Sequence, residues 1–170
     1  MSPILDEVKM KAAAVRWTSI FLALFAAACG TAAQERAASG YPYVYEYRYP
    51  HNTFSLNENH YIVLDSLEGG VHGWYYGTSD DFDAAREGYL PGFFVAEMQE
   101  LRITGDSISF TVRPREIFTS PVPLQYRRAS DAPAGLLERW TGPTLADVRA
   151  YAGTLSDRDI VLEGRVFVRH

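Results

Sequence analysis

The sequence predicts an all-β domain, a small antiparallel meander that closes into a barrel or folds into a sandwich and carries one short helix. Aromatic residues make up 14% of the chain, and tyrosine alone contributes eleven residues. Short runs alternate between apolar and polar side chains, whereas helical periodicity is sparse. We expect the strands to follow one another through short links, and closure into a barrel would remove exposed edge strands.

A tyrosine-rich run at residues 41–50 predicts the first strand. Because side chains alternate across a strand, one face would hold Tyr41, Tyr43, Tyr45, Tyr47 and Tyr49. Pro42 and Pro50 confine regular pairing to the stretch between them. Apolar segments at residues 54–64 and 71–77 supply the strands that follow.

The clearest hairpin signal lies at residues 101–112. Two alternating arms flank a turn at residues 104–106, and Ile108, Phe110 and Val112 fall on one face, which we expect to be buried. Residues 153–168 have a similar plan, with a polar turn at residues 156–159.

The one short helix is predicted at residues 79–88. Ser79 or Thr78 would cap it, acidic residues fill its first turn, and Gly88 follows its last turn. In this interpretation Asp80, Asp81 and Asp83 point into water. Residues 144–151 fit either a helical turn or a strand.

The N-terminal segment has the pattern of an export signal. Lys11 and Arg16 precede an apolar run at residues 17–28, which is too short to span a membrane and is followed by polar residues. We expect residues 1–28 to be a cleaved signal peptide whose true start is Met10 or Met1. Residues 29–40 would then form a flexible tether and residues 41–170 the folded domain.

Cys29, the only cysteine in the chain, directly follows this run. Residues 24–30 resemble the lipobox of bacterial lipoproteins, with small residues at Ala27, Ala28 and Gly30 and with Ala26 where a branched aliphatic residue is usual. The resemblance implies lipidation of Cys29 and a lipid-anchored protein of the cell envelope. The alternative is cleavage at residues 31–33, which would leave a secreted or periplasmic soluble protein. Neither alternative allows an intramolecular disulfide.

The domain looks like the small lipocalin-like barrels found in bacterial envelope lipoproteins. The resemblance rests on the export signal, on residues 73–77 (Gly-Trp-Tyr-Tyr-Gly) and on residues 105–110 (Gly-Asp-Ser-Ile-Ser-Phe). Lipocalins place a Gly-x-Trp motif in the first strand, whereas Gly73 and Trp74 are adjacent and lie well inside this domain. The resemblance therefore implies the barrel and carries no ligand chemistry across.

Charge excludes one class of partner. The formal net charge is −5, and basic residues are scattered, with Arg127 and Arg128 the only adjacent pair. This distribution argues against nucleic acid, and membrane contact is expected through the N-terminal lipid alone. No cofactor motif occurs, and neither does the Gly-x-Ser-x-Gly nucleophile motif.

The densest carboxylate group comprises Asp80, Asp81, Asp83 and Glu87. Such oxygens could hold calcium, but the spacing matches no EF-hand loop, and a solvated helix start explains the same residues. The histidines are His51, His60, His72 and His170, of which no two have helical ligand spacing. An envelope hydrolase that uses Asp81, Asp83 or Glu87 with a histidine is therefore one alternative function.

Aromatic side chains provide the strongest functional lead. An apolar or sugar ligand, or an envelope protein partner, could bind a face formed by Tyr43, Tyr45, Tyr47, Trp74 and Tyr76. For the same rings the sequence favours a place in the core and rim of a small barrel. The sequence thus predicts a binding or interaction module, with the hydrolase and a structural lipoprotein that docks on a membrane-protein partner as alternatives.

Overall fold

The computed structural model describes residues 42–50, 57–67, 69–82, 91–142, 145 and 147–170. The strands in these residues are β1 (Tyr43–Tyr47), β2 (His60–Leu67), β3 (Gly70–Thr78), β4 (Phe93–Glu97), β5 (Gln99–Thr104), β6 (Ser107–Val112), β7 (Arg149–Leu155), β8 (Asp159–Leu162) and β9 (Arg165–Arg169). Two 3₁₀ helices cover Ser79–Asp81 and Ala129–Asp131. The predicted signal, tether and Cys29 lie outside the described residues. No helix in the described part is long and apolar enough to cross a membrane.

The strands form one antiparallel sheet that curls into a nearly closed barrel. Their order in the sheet is β4-β3-β2-β1-β9-β8-β7-β6-β5, so neighbours in the chain are neighbours in space. The first and last strands of the chain pair in the middle of this order and join its two halves, with Tyr45 opposite Arg169 and Glu46 opposite Val168. The predicted all-β class is confirmed, and the architecture is the barrel form of the prediction.

β4 and β5, the two ends of this order, follow each other through the single residue Met98. The Met98 amide still bonds the Gly73 carbonyl of β3, at 2.8 Å. Pairing between β5 and β6 shifts register between Gln99 and Arg102, and Glu100 has a φ of 53°. Such a bulge bends a strand, so β4 and β5 behave as one bent strand that passes from one half of the barrel to the other.

Alternation along each strand sends every second side chain into the barrel. Ile108, Phe110 and Val112 are 1%, 2% and 0% exposed, which confirms the predicted register of the 101–112 hairpin. Its turn is the tight two-residue link Gly105–Asp106, between Thr104 and Ser107. In the core these side chains pack with buried residues of the other strands: Tyr45, Ile62, Leu64, Tyr75, Phe94, Tyr151, Ile160, Leu162 and Phe167.

Aromatic rings fill the barrel around Tyr75. Its ring centroid lies 5.1 Å from that of Tyr151, 6.1 Å from those of Phe94 and Phe167, and 6.4 Å from that of Phe110. Edge-to-face and offset arrangements at these separations add to the stabilisation from area burial. The interior at this level is thus a packed core.

The connection from β6 to β7, residues 113–148, is far longer than the short links predicted. Its residues 118–137 lie against the outer face of the wall, where Phe118 and Val122 cover Trp74 and Tyr76 in a second apolar cluster. Phe118 and Phe93 exchange backbone hydrogen bonds of 2.8 Å in both directions. The connection has neither strand nor helix periodicity, so nothing in its sequence indicated that it would form an outer layer.

Residues 153–168 depart from the predicted single hairpin, because β8 and β9 divide its second arm. The extra turn is Glu163–Gly164, where φ is 49° and 79°. Positive φ at both positions is typical of a type I′ turn. Glutamate rarely adopts such a φ, which explains why the turn was missed.

The predicted helix begins as a single 3₁₀ turn, Ser79–Asp81, and residues 83–90 lie outside the described part. Thr78 makes no side-chain capping bond. The Ser79 hydroxyl instead accepts a hydrogen bond of 3.0 Å from the Gly92 amide. Asp81 is 1% exposed, so the prediction that it points into water is wrong.

Candidate functional site

Asp81 lies in a group of polar side chains that we call the barrel-end cluster: His60, Tyr75, Thr78, Asp81, Tyr151 and Arg165. These residues come from β2, β3, the following 3₁₀ turn, β7 and β9, whose adjoining ends meet at one end of the barrel. Gly77 leaves room for them, because a Cβ there would lie 2.7 Å from the Tyr75 ring and 3.3 Å from Asp81 Oδ2. Elements far apart in the chain therefore build this cluster.

Both carboxylate oxygens of Asp81 are engaged. Arg165 donates from Nη1 to Oδ1 at 2.5 Å. Oδ2 accepts hydrogen bonds from the Tyr75 hydroxyl at 2.6 Å and the Tyr151 hydroxyl at 3.2 Å. A buried carboxylate needs a charge partner and satisfied lone pairs to remain ionised, and Asp81 has both.

His60 lies beside this carboxylate, with Nδ1 3.6 Å from Asp81 Oδ2. Burial lowers the pKa of His60 to about 4, with a further lowering from the Arg165 charge, and Asp81 offsets only part of this shift. The ring is therefore neutral at pH 7. Nδ1 lies 3.1 Å from the Tyr75 hydroxyl and 3.2 Å from Arg165 Nη1, and Nε2 lies 3.2 Å from Thr78 Oγ1, so both ring nitrogens have a polar neighbour.

The other groups respond to the same buried charge. Burial alone would raise the pKa of Asp81, but His60 when protonated, Arg165, and the bonds from Tyr75 and Arg165 together lower it. Burial and the Asp81 carboxylate raise the pKa values of Tyr75 and Tyr151. Burial opposes the charge on Arg165, yet Asp81 outweighs it and raises the Arg165 pKa. At neutral pH the cluster is thus one ion pair with neutral partners.

Thr78, His60 and Asp81 place a hydroxyl, an imidazole and a carboxylate next to one another in space. This is the order of the groups in a nucleophile triad. A general base needs a pKa near the working pH, however, and burial holds the pKa of His60 far below neutrality. All three residues are at most 1% exposed. The geometry therefore favours a structural role, in which the cluster joins β2, β3, β7 and β9.

The calcium candidates divide between the described and undescribed residues. Asp81 has its oxygens occupied by hydrogen-bond donors, Asp80 is half-buried, and Asp83 and Glu87 lie outside the described residues. In the described part of the chain, no three His, Cys, Asp or Glu side chains come close enough together to hold a metal ion.

The predicted aromatic face is divided by the barrel wall. Tyr43, Tyr45 and Tyr47 lie on the inner side of β1, where Tyr45 is buried, whereas Trp74 and Tyr76 lie on the outer side of β3 beneath residues 113–142. Tyr47 contacts the barrel-end cluster, with the Arg165 guanidinium 5.6 Å from its ring centroid. The five rings therefore do not share one surface, and their role in binding stays a prediction.

A concave region outside the barrel, which we call the arginine cleft, lies between the outer face of β4 and β5 and the connection that follows β6. Its volume is about 390 Å³. Its lining comprises Val95, Ala96, Glu97, Gln99, Arg113, Arg115, Glu116, Phe118, Arg127, Arg128, Ala129 and Ser130. Pockets that hold small ligands typically measure about 300–1,000 Å³. The cleft thus has the size of a small-molecule site.

Trp74 anchors one wall of the cleft. It lies opposite the cleft residue Glu97 in the β3–β4 register, and the Arg127 guanidinium is 5.3 Å above its ring centroid. Arg127 also donates through Nη1 to the Tyr76 hydroxyl at 3.2 Å and to the Leu124 carbonyl. These contacts fix the guanidinium in place. The Trp74 indole N–H is buried and has no acceptor among the described residues.

The arginine cleft could not be predicted from the sequence, because two separate segments of the chain build it. Arg127 and Arg128 are adjacent and were noticed, but Arg113 and Arg115 meet them only after the long connection folds back on β4. Comparisons with protein families, curated proteins and solved structures return no match for this chain.

Proposed function

We propose that this chain is an exported, lipid-anchored binding module of a bacterial cell envelope, and that it binds a small ligand in the arginine cleft on the outside of the barrel. The export pattern at residues 1–28 and the lipobox-like context of Cys29 support the location. The packed interior and the open cleft support the binding site.

The observation that carries the proposal is the contrast between these two regions. Around Tyr75 the barrel axis is occupied by rings that are at most 4% exposed, so a ligand there would have to displace core side chains. The arginine cleft instead presents unburied polar groups beside the apolar side chains of Val95 and Phe118. A concave surface with a few convergent polar groups is the usual form of a ligand site.

Backbone amide shifts of the labelled full-length chain in detergent would test the site. The probes are a carboxylate, a phosphate ester, a neutral sugar and a fatty acid, each titrated separately. We expect at least one of them to shift the amides of Glu97, Gln99 and Arg128, while those of Tyr75 and Phe167 stay in place. Saturable shifts centred on Tyr75 would instead place the ligand inside the barrel and overturn the proposal, and so would an unshifted cleft with every probe.

The hydrolase alternative has one observation in its favour, the approach of His60 to Asp81 at 3.6 Å. The buried Thr78 hydroxyl and the low pKa of His60 favour a structural role over catalysis at this position. Turnover of a chromogenic ester or glycoside that disappears in His60→Gln, in a protein that stays folded, would favour the hydrolase.

A further inference from the structure

The arginine cleft concentrates positive charge on a chain whose formal net charge is −5. Four arginines and two glutamates line it. Both glutamates already have an arginine as a neighbour: Glu116 pairs with Arg139 at 2.7 Å, and Glu97 lies 3.9 Å from Arg128. The cleft therefore has an excess of positive charge that its own acids do not cancel.

Arg113 and Arg115 supply much of this excess. Both are exposed, and neither has an ion pair or a hydrogen bond within the part of the chain that the structure describes. They flank the buried Pro114, and both line the cleft. Two neighbouring guanidinium groups without acceptors are a ready site for an anion.

Arg127 adds an oriented donor group. Both of its hydrogen bonds to described residues use Nη1, which leaves the remaining N–H groups of its guanidinium available. The planar guanidinium matches the oxygens of phosphate or carboxylate in a two-point contact. Because Trp74 and Tyr76 already hold Arg127, little side-chain entropy remains to be lost on binding.

The cleft is larger than an inorganic ion alone requires, with a volume of about 390 Å³. Val95 and Phe118 line it together with the arginines. A ligand that fills it would carry an anionic group at the arginines and an organic group against these apolar side chains.

We infer that the arginine cleft binds phosphomonoesters, with the phosphate held by Arg113, Arg115 and Arg127 and the organic group against Val95 and Phe118. This inference rests on the proposed function and names its ligand class. A phosphomonoester carries close to two negative charges at neutral pH, which matches the excess of two arginines over glutamates in the lining. Its source would be either a soluble metabolite or a phosphomonoester lipid of the membrane that holds the anchor.

Calorimetric titration of the full-length chain in detergent with phenyl phosphate tests the inference. We expect phenyl phosphate to bind at least about tenfold more tightly than benzoate, which has the same ring and a single charge, and binding to weaken as salt is added. Equal binding of the two compounds, or none by phenyl phosphate, would overturn it. If the amides of the cleft shift with a neutral sugar but not with phenyl phosphate, the proposed ligand class is wrong. The proposed function, binding of a small ligand in the cleft, would then still hold.

Two double variants test whether phenyl phosphate binds in the arginine cleft. Arg113→Gln with Arg115→Gln should weaken phenyl phosphate binding by at least about tenfold. Arg102→Gln with Arg158→Gln removes the same charge from two exposed arginines outside the cleft and should change binding by less than about twofold. Equal losses in the two pairs would show a nonspecific charge effect and overturn the assignment. Thermal unfolding confirms that both proteins are folded, as expected for exposed positions.

Flotation with vesicles identifies the source of the phosphate. The soluble chain made by replacing Cys29 with serine is mixed with phosphatidylcholine vesicles, with or without phosphatidic acid. A lipid ligand is supported if the protein floats only with vesicles that contain phosphatidic acid and if the Arg113 and Arg115 variant no longer floats with them. Phenyl phosphate binding without flotation supports a soluble one. The absence of both overturns the inference.

Discussion

Arg165 and Asp81 form an ion pair at one end of the barrel, with Nη1 2.5 Å from Oδ1 across 84 residues of sequence. The Asp81 side chain is fully buried and that of Arg165 is 27% exposed. Because Asp81 follows β3 and Arg165 begins β9, the pair joins two strands that are not neighbours in the sheet. The barrel end is thus held by side chains as well as by backbone pairing.

Replacing Asp81 with asparagine should lower the free energy of unfolding by about 3 kcal/mol. Asparagine keeps the shape but leaves Arg165 without its counter-charge, and breaking a buried pair on one side is strongly destabilising. Urea unfolding measures the change. The neighbouring Asp80→Asn, at a more exposed position, should cost less than about 1 kcal/mol. Similar losses in the two variants would contradict the importance of the pair.

His60 should make the barrel less stable as the pH falls from about 6.5 to about 4. The unfolded chain takes up a proton at the ordinary histidine pKa, whereas the folded protein resists protonation until its lowered pKa of about 4. Stability from this group is therefore complete above pH 6.5, and about 3 kcal/mol is lost over the interval. The lowered pKa of Asp81 places its own loss below its ordinary value, at more acidic pH.

The variant His60→Gln should flatten the pH dependence of stability in this window, measured by urea unfolding at several pH values. His72→Gln, which changes a half-exposed histidine of the same barrel, should leave the dependence in place. An unchanged slope in His60→Gln would contradict the assignment.

Alanine at Gly77 should destabilise the barrel by about 2 kcal/mol. Its Cβ would lie 2.7 Å from the Tyr75 ring and 2.9 Å from the Phe94 ring, and overpacking of a filled core costs about 1–3 kcal/mol. Gly70→Ala in the same strand meets only ordinary contacts at 3.8 Å and should be nearly neutral. Thermal unfolding of the two variants measures the contrast, and comparable melting temperatures would count against a filled barrel end.

Replacing Cys29 with serine should move the protein from the membrane fraction to the soluble fraction after export. Acyl chains contribute about 0.8 kcal/mol per buried methylene, so several chains on one cysteine hold firmly. Fractionation and immunoblotting measure the distribution. A wild-type protein that is wholly soluble after export would refute lipidation.

Local pattern was enough to predict the elements whose structure depends on neighbouring residues. The 101–112 hairpin followed from alternation and a tight turn, and the shared face of Tyr43, Tyr45 and Tyr47 on β1 followed from their spacing, whereas the structure decided that this face points inward. The short period of a strand is visible within a few residues, so these predictions needed no tertiary information.

Long-range contacts decided the features that the sequence did not predict. Asp81 looked like a solvated helix residue because its partner Arg165 is remote in the chain. The β8–β9 turn was hidden because Glu163 occupies a position with φ of 49°, where glycine or asparagine is expected. The arginine cleft depends on where residues 113–142 fold, which no periodicity specifies.

The pairing of β1 with β9 also bears on how the barrel opens. Their register covers only Tyr45 and Glu46, with one further backbone bond from the His170 amide to the Val44 carbonyl, so hydrogen exchange should begin along this line before it reaches the longer β2–β3 ladder. Detaching β9, however, also withdraws Arg165 from Asp81. The ion pair between Arg165 and Asp81 therefore stabilises the shortest strand pairing of the barrel. Acid that neutralises Asp81 should speed the separation of β9 from β1.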